Sequence, residues 1–543
     1  MKLITEMSKQ KLRGGYYTPK KMTDFIMHWG LLDGYKNRVL EPSCGDGAFL
    51  ESLMEYRNGF EECLAIELDE EEALKASNRV KDIINIQIIN NDFFDEYEIN
   101  LRNHEFDLII GNPPYIRYQF LSPSQREMHA AILSNNGMKP NKLINAWVSF
   151  LVASVERLSA AGKIAMVIPA EILQVAYAAD LRLYLTNHLS KVTVITFKKL
   201  VFPDVQQEVV LLMGEKSLIK EETKISVVEL NDLEDLDFDI LNRKLEYKEI
   251  DHNKDKWTKY FLSKNELTAI KEIANNESFK KISEYAQVDI GITTGNNKYF
   301  SVTKETIQKF NLEKITLPLI GRSAHAKGLY FTEKDWIENV EDGYPASLLL
   351  FPDVPFEELP NNLQSYVKQG EENGENTGYK CRIRRNWYRI PSVWEPDAFF
   401  LRRNDKYPKF VLNSTNAVST DTMHRIRFND GIDKNKVILG YYNSISLAFT
   451  EIEGRSYGGG VLEVLPGEVE SILIPDLSGL DSSTTQRLMH LVDCNIREKG
   501  DIEDILPEIN QEILINYLGI NPEVVQTFNN IWKKLMNRRR DRK

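Results

Sequence analysis

The chain has 543 residues, 42% hydrophobic and 27% charged, with a formal net charge of −12. At roughly 100–200 residues per domain this fills two to four domains with sizeable apolar cores. A net acidic chain has no global attraction for nucleic acid, so any phosphate-binding face has to be a local cluster of Lys and Arg.

The four cysteines, Cys44, Cys63, Cys381 and Cys494, form no CxxC pair and no Cys/His cluster with zinc spacing. That pattern predicts reduced thiols, no metal and a cytoplasmic setting. Residues 1–10 have no apolar signal core, and no run of about 18 apolar residues occurs, so no membrane association is expected.

In chain order, residues 38–41, 62–67, 86–90, 106–110 and 163–168 read as short apolar strands. Helix-like stretches cover 23–32, 47–56, 70–81 and 145–158, and strands at 192–197 and 207–213 follow. This alternation predicts an α/β fold, a doubly wound Rossmann-like domain over residues 1–220. Residues 221–255 begin with an acidic run, from Glu221 and Glu222 to Asp237 and Asp239, and read as a solvated connection. Residues 256–480 show irregular strands, short helices and many aromatics, the pattern of a mixed α/β domain. Residues 481–543 read as mainly helical and end in a basic tail of Lys533, Lys534, Arg538–Arg540, Arg542 and Lys543.

The first predicted strand runs into Glu41-Pro42-Ser43-Cys44-Gly45-Asp46-Gly47 and then a helix. Ligands of doubly wound sheets sit at the carboxyl ends of strands, and glycine lets the backbone approach them closely. A dinucleotide site would carry a third glycine where Leu50 stands. The carboxylate of Glu41 at the turn suits a cation better than a phosphate, and the methionine part of S-adenosylmethionine carries an ammonium and a sulfonium. The turn residues Ser43 and Gly45 belong to this candidate cofactor site. The next strand ends in Glu67-Leu68, where an acid accepts from ribose hydroxyls. The third is followed by Asp92-Phe93, an acceptor for an adenine amine and a ring to pack on it. Each of these acids also suits a helix N-cap.

The fourth strand leads through Gly111 into Asn112-Pro113-Pro114-Tyr115. Two prolines remove two amide donors and stiffen the turn, so the Asn112 side chain and the Pro113 carbonyl can aim acceptors at one point. An exocyclic amine is a poor nucleophile because its lone pair is delocalised. Two acceptors binding both amino hydrogens localise that pair, after which a sulfonium methyl can be taken in line by positioning alone. Tyr115 is placed to stack on a base extruded from its duplex.

These residues resemble the gamma class of DNA adenine amino-methyltransferases, the TaqI-like group of restriction–modification systems. Gly14-Gly15-Tyr16-Tyr17-Thr18-Pro19 is similar to the short motif that precedes the glycine turn in that group, and the resemblance implies that Tyr17, Thr18 and Pro19 close over the cofactor. It also implies that Phe202, in Val201-Phe202-Pro203-Asp204-Val205, stacks on the flipped base. Lys142 and Asn145 fall near a loop that faces the base in the group and receive no role. The resemblance implies duplex DNA as substrate, a separate restriction endonuclease without a stable complex, and a monomer.

Beyond residue 255 the likeness is to target-recognition regions. Residues 379–409 cluster Arg382, Arg384, Arg385, Arg402 and Arg403 around Trp387, a pattern suited to phosphates and base edges. Gly291–Asn297 and Arg455–Gly460 are glycine-punctuated turns that suit either DNA contact or a structural hairpin.

Asn-Pro-Pro-Tyr also serves enzymes acting on protein amides or RNA, and a non-catalytic specificity module is a further alternative. The N-terminal motif and the large C-terminal half favour DNA. The early start of the methyltransferase motifs, with no Pro-Asp…Asp/Glu-x-Lys pattern later, argues against a fused nuclease.

Overall fold

The computed structural model describes residues 17–31, 37–56, 58–141, 143–202, 207–219, 222–243, 245–251 and 255–541, and divides into two compact units, residues 1–264 and 265–543. Gly14 to Tyr16, Lys142, Pro203 to Val205, Arg542 and Lys543 lie outside the described residues.

The first unit is built on α1 (Lys20–Leu31), β1 (Asn37–Glu41), α2 (Ala48–Leu53), β2 (Phe60–Glu67), α3 (Glu70–Val80), β3 (Ile86–Asn90) and α4 (Phe93–Ile99). Next come β4 (Phe106–Gly111), α5 (Pro123–Asn135), α6 (Ala146–Glu156), β5 (Leu158–Pro169), α7 (Ala179–His188) and β6 (Lys191–Phe197), and then β7 (Val209–Glu215), β8 (Lys224–Leu230) and β9 (Lys248–Glu249). The strands form one sheet in the order β3-β2-β1-β4-β5-β7-β6-β8-β9. β3, β2, β1, β4 and β5 are mutually parallel, whereas β7 runs antiparallel between β5 and β6. The central strands are near-continuous apolar runs because helices cover both faces; Val39, Leu40, Leu108, Ile109 and Ile110 are fully buried.

Polar residues set the helix starts. Asp69 caps α3 by accepting from the Glu72 amide, and Asp92 caps α4 by accepting from the Phe94 amide. Ser122 and Gln125 form a capping box on α5, with Pro123 in its first turn.

Residues 221–255 are not a free connection. β8 pairs in parallel with β6 over all seven of its residues, and β9 adds an antiparallel edge. Glu229 lies within this strand, and Asp232 to Asp239 follow it. Asp232 pairs with Lys199 and Glu234 with Lys21, and the first unit runs to residue 264 rather than 220.

The second unit contains a five-stranded sheet of β10 (Ala286–Ile290), β11 (Tyr330–Phe331), β12 (Ala398–Leu401), β13 (Phe410–Asn413) and β14 (Met423–Phe428), in the order β10-β14-β12-β13-β11, with smaller sheets beside it. Residues 481–543 belong to this same unit. Their last helix, α9 (Pro522–Arg540), packs against α8 (Ser444–Glu453), with Phe449 stacked on Phe528 at 5.9 Å. The expected basic tail is therefore a packed amphipathic helix. Lys533 pairs with Glu503, Lys534 with Glu266 and Arg540 with Asp405.

Arg539 and Glu451 form an ion pair at 2.7 Å with side chains only 3% and 4% exposed. Truncating one partner of such a pair strands the other charge in an apolar interior. Arg539→Ala should cost about 3–5 kcal/mol of stability in equilibrium urea unfolding, and replacing both partners with apolar residues of similar volume should recover most of it.

Candidate active site

Strand order reverses between β1 and β4, whose central residues Val39 and Leu40 pair with Leu108 and Ile109. A doubly wound sheet opens a crevice at such a reversal, outside the carboxyl ends of the strands. A cavity of about 520 Å³ lies there, lined by Glu41 from the end of β1 and by Asn112 from just beyond β4. Tyr17, Thr18, Ser43, Gly45, Glu67, Leu68, Asp92, Phe93 and Pro114 line it too. Most of the expected cofactor residues thus share one wall system.

The turn after β1 depends on its glycines. Gly45 and Gly47 have φ of 52° and 87°, a region that other residues enter at a cost. A Cβ on Gly47 would also stand 3.1 Å from the Ala76 Cα. The Gly45 amide donates to Glu67 Oε2 at 2.8 Å, and the Asp69 amide donates to Glu67 Oε1 at 2.8 Å. Glu67 therefore ties the first strand turn to the second, and burial raises its pKa.

Glu41 is fully buried, and neither carboxylate oxygen has a hydrogen-bond partner among the described residues. Desolvation, with Glu67 and Asp46 nearby, pushes its pKa well above the ordinary value. A carboxylate in this position is incomplete without a cationic partner. The rest of the lining agrees: Asp46, Glu67, Asp69, Glu71, Glu72 and Asp92 face the cavity, with no Lys or Arg on its described wall.

The N-terminal segment meets the catalytic loop directly. Thr18, 6% exposed, accepts from Asn112 Nδ2 at 3.2 Å, and the Tyr17 hydroxyl donates to Glu72 at 3.2 Å. The Pro19 carbonyl accepts the first amides of α1. Ser43 Oγ donates to the Asn112 carbonyl at 3.4 Å. The Tyr115 hydroxyl lies 2.7 Å from Asn112 Oδ1 and 3.0 Å from the Val167 carbonyl. Tyr115 thus holds the Asn112 amide while its ring packs beside the core; it is not on the cavity wall. Pro113 is buried behind the same loop.

Phe202 is not brought to the cavity. It is 7% exposed and packs in the core with Val201, Val209 and Leu211, because the chain returns to the sheet here before β7. Asp92 serves both readings offered for it: one oxygen caps α4 while the residue lines the cavity. Several wall residues carried no motif. Leu121, Gln125 and His129 come from α5 and its entry, and Phe150 from α6. Gln125 and His129, four residues apart, share one face of α5, and that spacing is the one signal that linked them.

A family model described as N-6 DNA Methylase matches residues 3–290, more than half of the chain. The chain belongs to the N-6 DNA methylase family. A second model, the C-terminal domain of the type II methyltransferase M.Eco57I, matches residues 254–514. Among curated relatives, the type II methyltransferase M.AccI of Acinetobacter calcoaceticus is 26% identical over 88% of this chain and 88% of its own. M.BanIII of Aneurinibacillus aneurinilyticus is 26% identical over 72% of this chain and 76% of its own. The type IIL restriction–modification enzyme MmeI, solved with DNA, shares the fold at a TM-score of 0.53 and 12% identity, covering 95% of this chain and 72% of that one. This methylase is a DNA methyltransferase, and proteins of its family take their methyl group from S-adenosylmethionine.

In the second unit of the methylase, the basic cluster divides. Arg382 and Arg385 are exposed. Arg384 instead donates to the Thr293 and Thr294 carbonyls and holds the Gly291–Asn297 turn in place. Trp387 packs on Tyr299 at 4.8 Å and donates to Glu371. Arg402 and Arg403 both pair with Glu463, and Arg403 also lies over the Tyr457 ring at 4.5 Å. In the Arg455–Gly460 turn, Arg455 pairs with Glu468 and the Gly460 carbonyl accepts from Arg539. These groups are held inside the unit by acids and carbonyls far away in sequence.

Because its folded pKa is raised, Glu41 supports the ligand-free fold most when protonated, below the ordinary value of 4.5, and this support is lost as pH rises through the raised value. The ligand-free denaturation midpoint should therefore fall as pH rises above about 5, and Glu41→Gln should flatten that fall and raise the midpoint at about pH 8.

Proposed function

We propose that the methylase transfers a methyl group from S-adenosylmethionine to the N6 amine of an adenine flipped out of duplex DNA, and that this protects host DNA within a restriction–modification system. The observation that carries the reading is the buried, unpartnered Glu41 carboxylate opening into the same cavity as Asn112. The fit to the cofactor follows from the same wall. Glu41 meets the ammonium, Glu67 accepts from the ribose, and Asp92 accepts from the adenine amine beside Phe93. Ser43, Gly45 and Leu68 shape the turn around them, and Thr18, between Tyr17 and Pro19, closes the N-terminal side. Bound there, S-adenosylmethionine supplies an electrophilic methyl group on a sulfonium.

The protein's own part is positional. Asn112 Oδ1 and the Pro113 carbonyl accept the two hydrogens of the target amine, which localises its lone pair. Thr18 and Tyr115 fix the amide from either side, and Pro113 and Pro114 fix the backbone. The reading includes a separate endonuclease partner and a monomeric enzyme.

Asn112→Ala should lower the methyl-transfer rate on duplex DNA by about 10²–10³-fold, the scale found when one preorganised partner of a transition state is removed, with cofactor affinity changed far less. Single-molecule sequencing of DNA from a methylation-free host expressing the parent should reveal N6-methyladenine at one recurrent site. Methylated tRNA or protein, with unmodified DNA, would refute the reading.

Arg382 and Arg385, exposed on the second unit, are the cations best placed to meet phosphate. Arg382→Ala and Arg385→Ala should each weaken DNA binding and reduce the slope of log affinity against log salt by about 1, whereas Arg384→Ala should act through stability.

A further inference from the structure

One wall of the cavity carries a polar group that the reaction does not use. His129 on α5 lines the cavity, is 6% exposed, and has no hydrogen-bond partner for its ring among the described residues. A polar ring on a cavity wall without a protein partner is open to a hydrogen bond from whatever fills the cavity. The ring is held in place: it lies 4.5 Å from Phe94 at 54°, and Phe94 in turn packs edge-on against Phe150 at 4.7 Å. Phe150 stacks on Phe93 at 5.2 Å and 19°. Asp92, which caps the helix bearing Phe93 and Phe94, belongs to the same end of the cavity.

Aromatic walls, an acceptor and an imidazole together match the edge of an adenine. Its exocyclic amine donates and suits Asp92, while the ring nitrogens on either side of that amine accept. Burial lowers the His129 pKa to about 4, so the ring is neutral at ordinary pH and offers one N–H. Gln125 on the same helix face is held in the capping box, where its Oε1 accepts from the Ser122 amide.

We propose that His129 reads the nucleobase of the methyl donor, donating its ring N–H to the adenine nitrogen beside the amine that Asp92 accepts. This rests on the reading of the cavity as an S-adenosylmethionine site and adds a purine-selecting residue to it. His129 does no chemistry on the methyl group; it selects and orients the cofactor.

Calorimetric titration with S-adenosylhomocysteine and its 1-deaza and 7-deaza analogues tests the assignment without turnover. The parent should lose about three- to tenfold in affinity for one of the two analogues, the worth of one neutral hydrogen bond. His129→Phe should show the same loss toward S-adenosylhomocysteine itself and no further loss toward that analogue. His129→Gln, which keeps an N–H donor, should recover part of the affinity, and the differences should not change between about pH 6 and 8. Unfolding midpoints of both variants show whether the fold is kept. If His129→Phe binds all three ligands as the parent does, His129 is only a packing residue and the inference fails while the cofactor reading stands. If the parent binds none of them, the cofactor reading itself fails.

Discussion

The site rests on a carboxylate that the sheet does not satisfy. Glu41 ends a central strand flanked on both sides by parallel neighbours, so water cannot reach it from an edge, and its two oxygens find no donor among the described residues. A buried charge of this kind raises its own pKa or recruits a counter-ion. The strand reversal that buries it also brings the end of β4 alongside, so the unmatched carboxylate and the Asn112 loop share one crevice. Cofactor and target subsites are therefore coupled by topology. The hydrogen bond from Asn112 to Thr18 makes the coupling direct, because the segment expected to cover the donor also holds the catalytic amide.

Around Asn112 the structure favours fixed geometry over reactive groups. An amide oxygen has two lone pairs, and the Tyr115 hydroxyl, with one hydrogen, engages one of them. The Val167 carbonyl gives the Tyr115 hydroxyl a second acceptor within reach, so the network adjusts without moving the backbone. Prolines on the C-terminal side of Asn112 and the Ser43 contact to its carbonyl hold the loop from both directions. Positioning of this sort lowers a barrier by settling orientation and solvent reorganisation before the reaction begins.

The central sheet and the first shell of the cavity were readable from sequence because each rests on local pattern. Apolar runs end in acid, glycines mark turns that need positive φ, and prolines follow Asn112. What stayed hidden depends on distant partners. β8 sits inside an acidic run, and the seven-residue pairing with β6 that defines it is a long-range fact. Arg402 and Arg403 look like free cations until Glu463, some 60 residues later, pairs with both. Phe202 has the sequence surroundings of an exposed stacking residue, yet its packing with Val201 and Val209 is set by how the chain re-enters the sheet. His129 stands on a helix whose caps are plain in sequence, but nothing local shows that its face looks into a cavity.

The distribution of charge makes sense of an acidic DNA enzyme. Net charge says little about local fields, and this chain concentrates acids on the wall of one cavity. That wall attracts a cationic donor and repels phosphate, so the part of a nucleic acid able to approach it is an uncharged base separated from the strand. The charge opposite the wall would also change over the cycle. A donor that gives up its methyl group loses the sulfonium charge, and with it part of its attraction to the acids. The field that draws the donor in thus holds the spent cofactor less strongly, which favours exchange once transfer is complete.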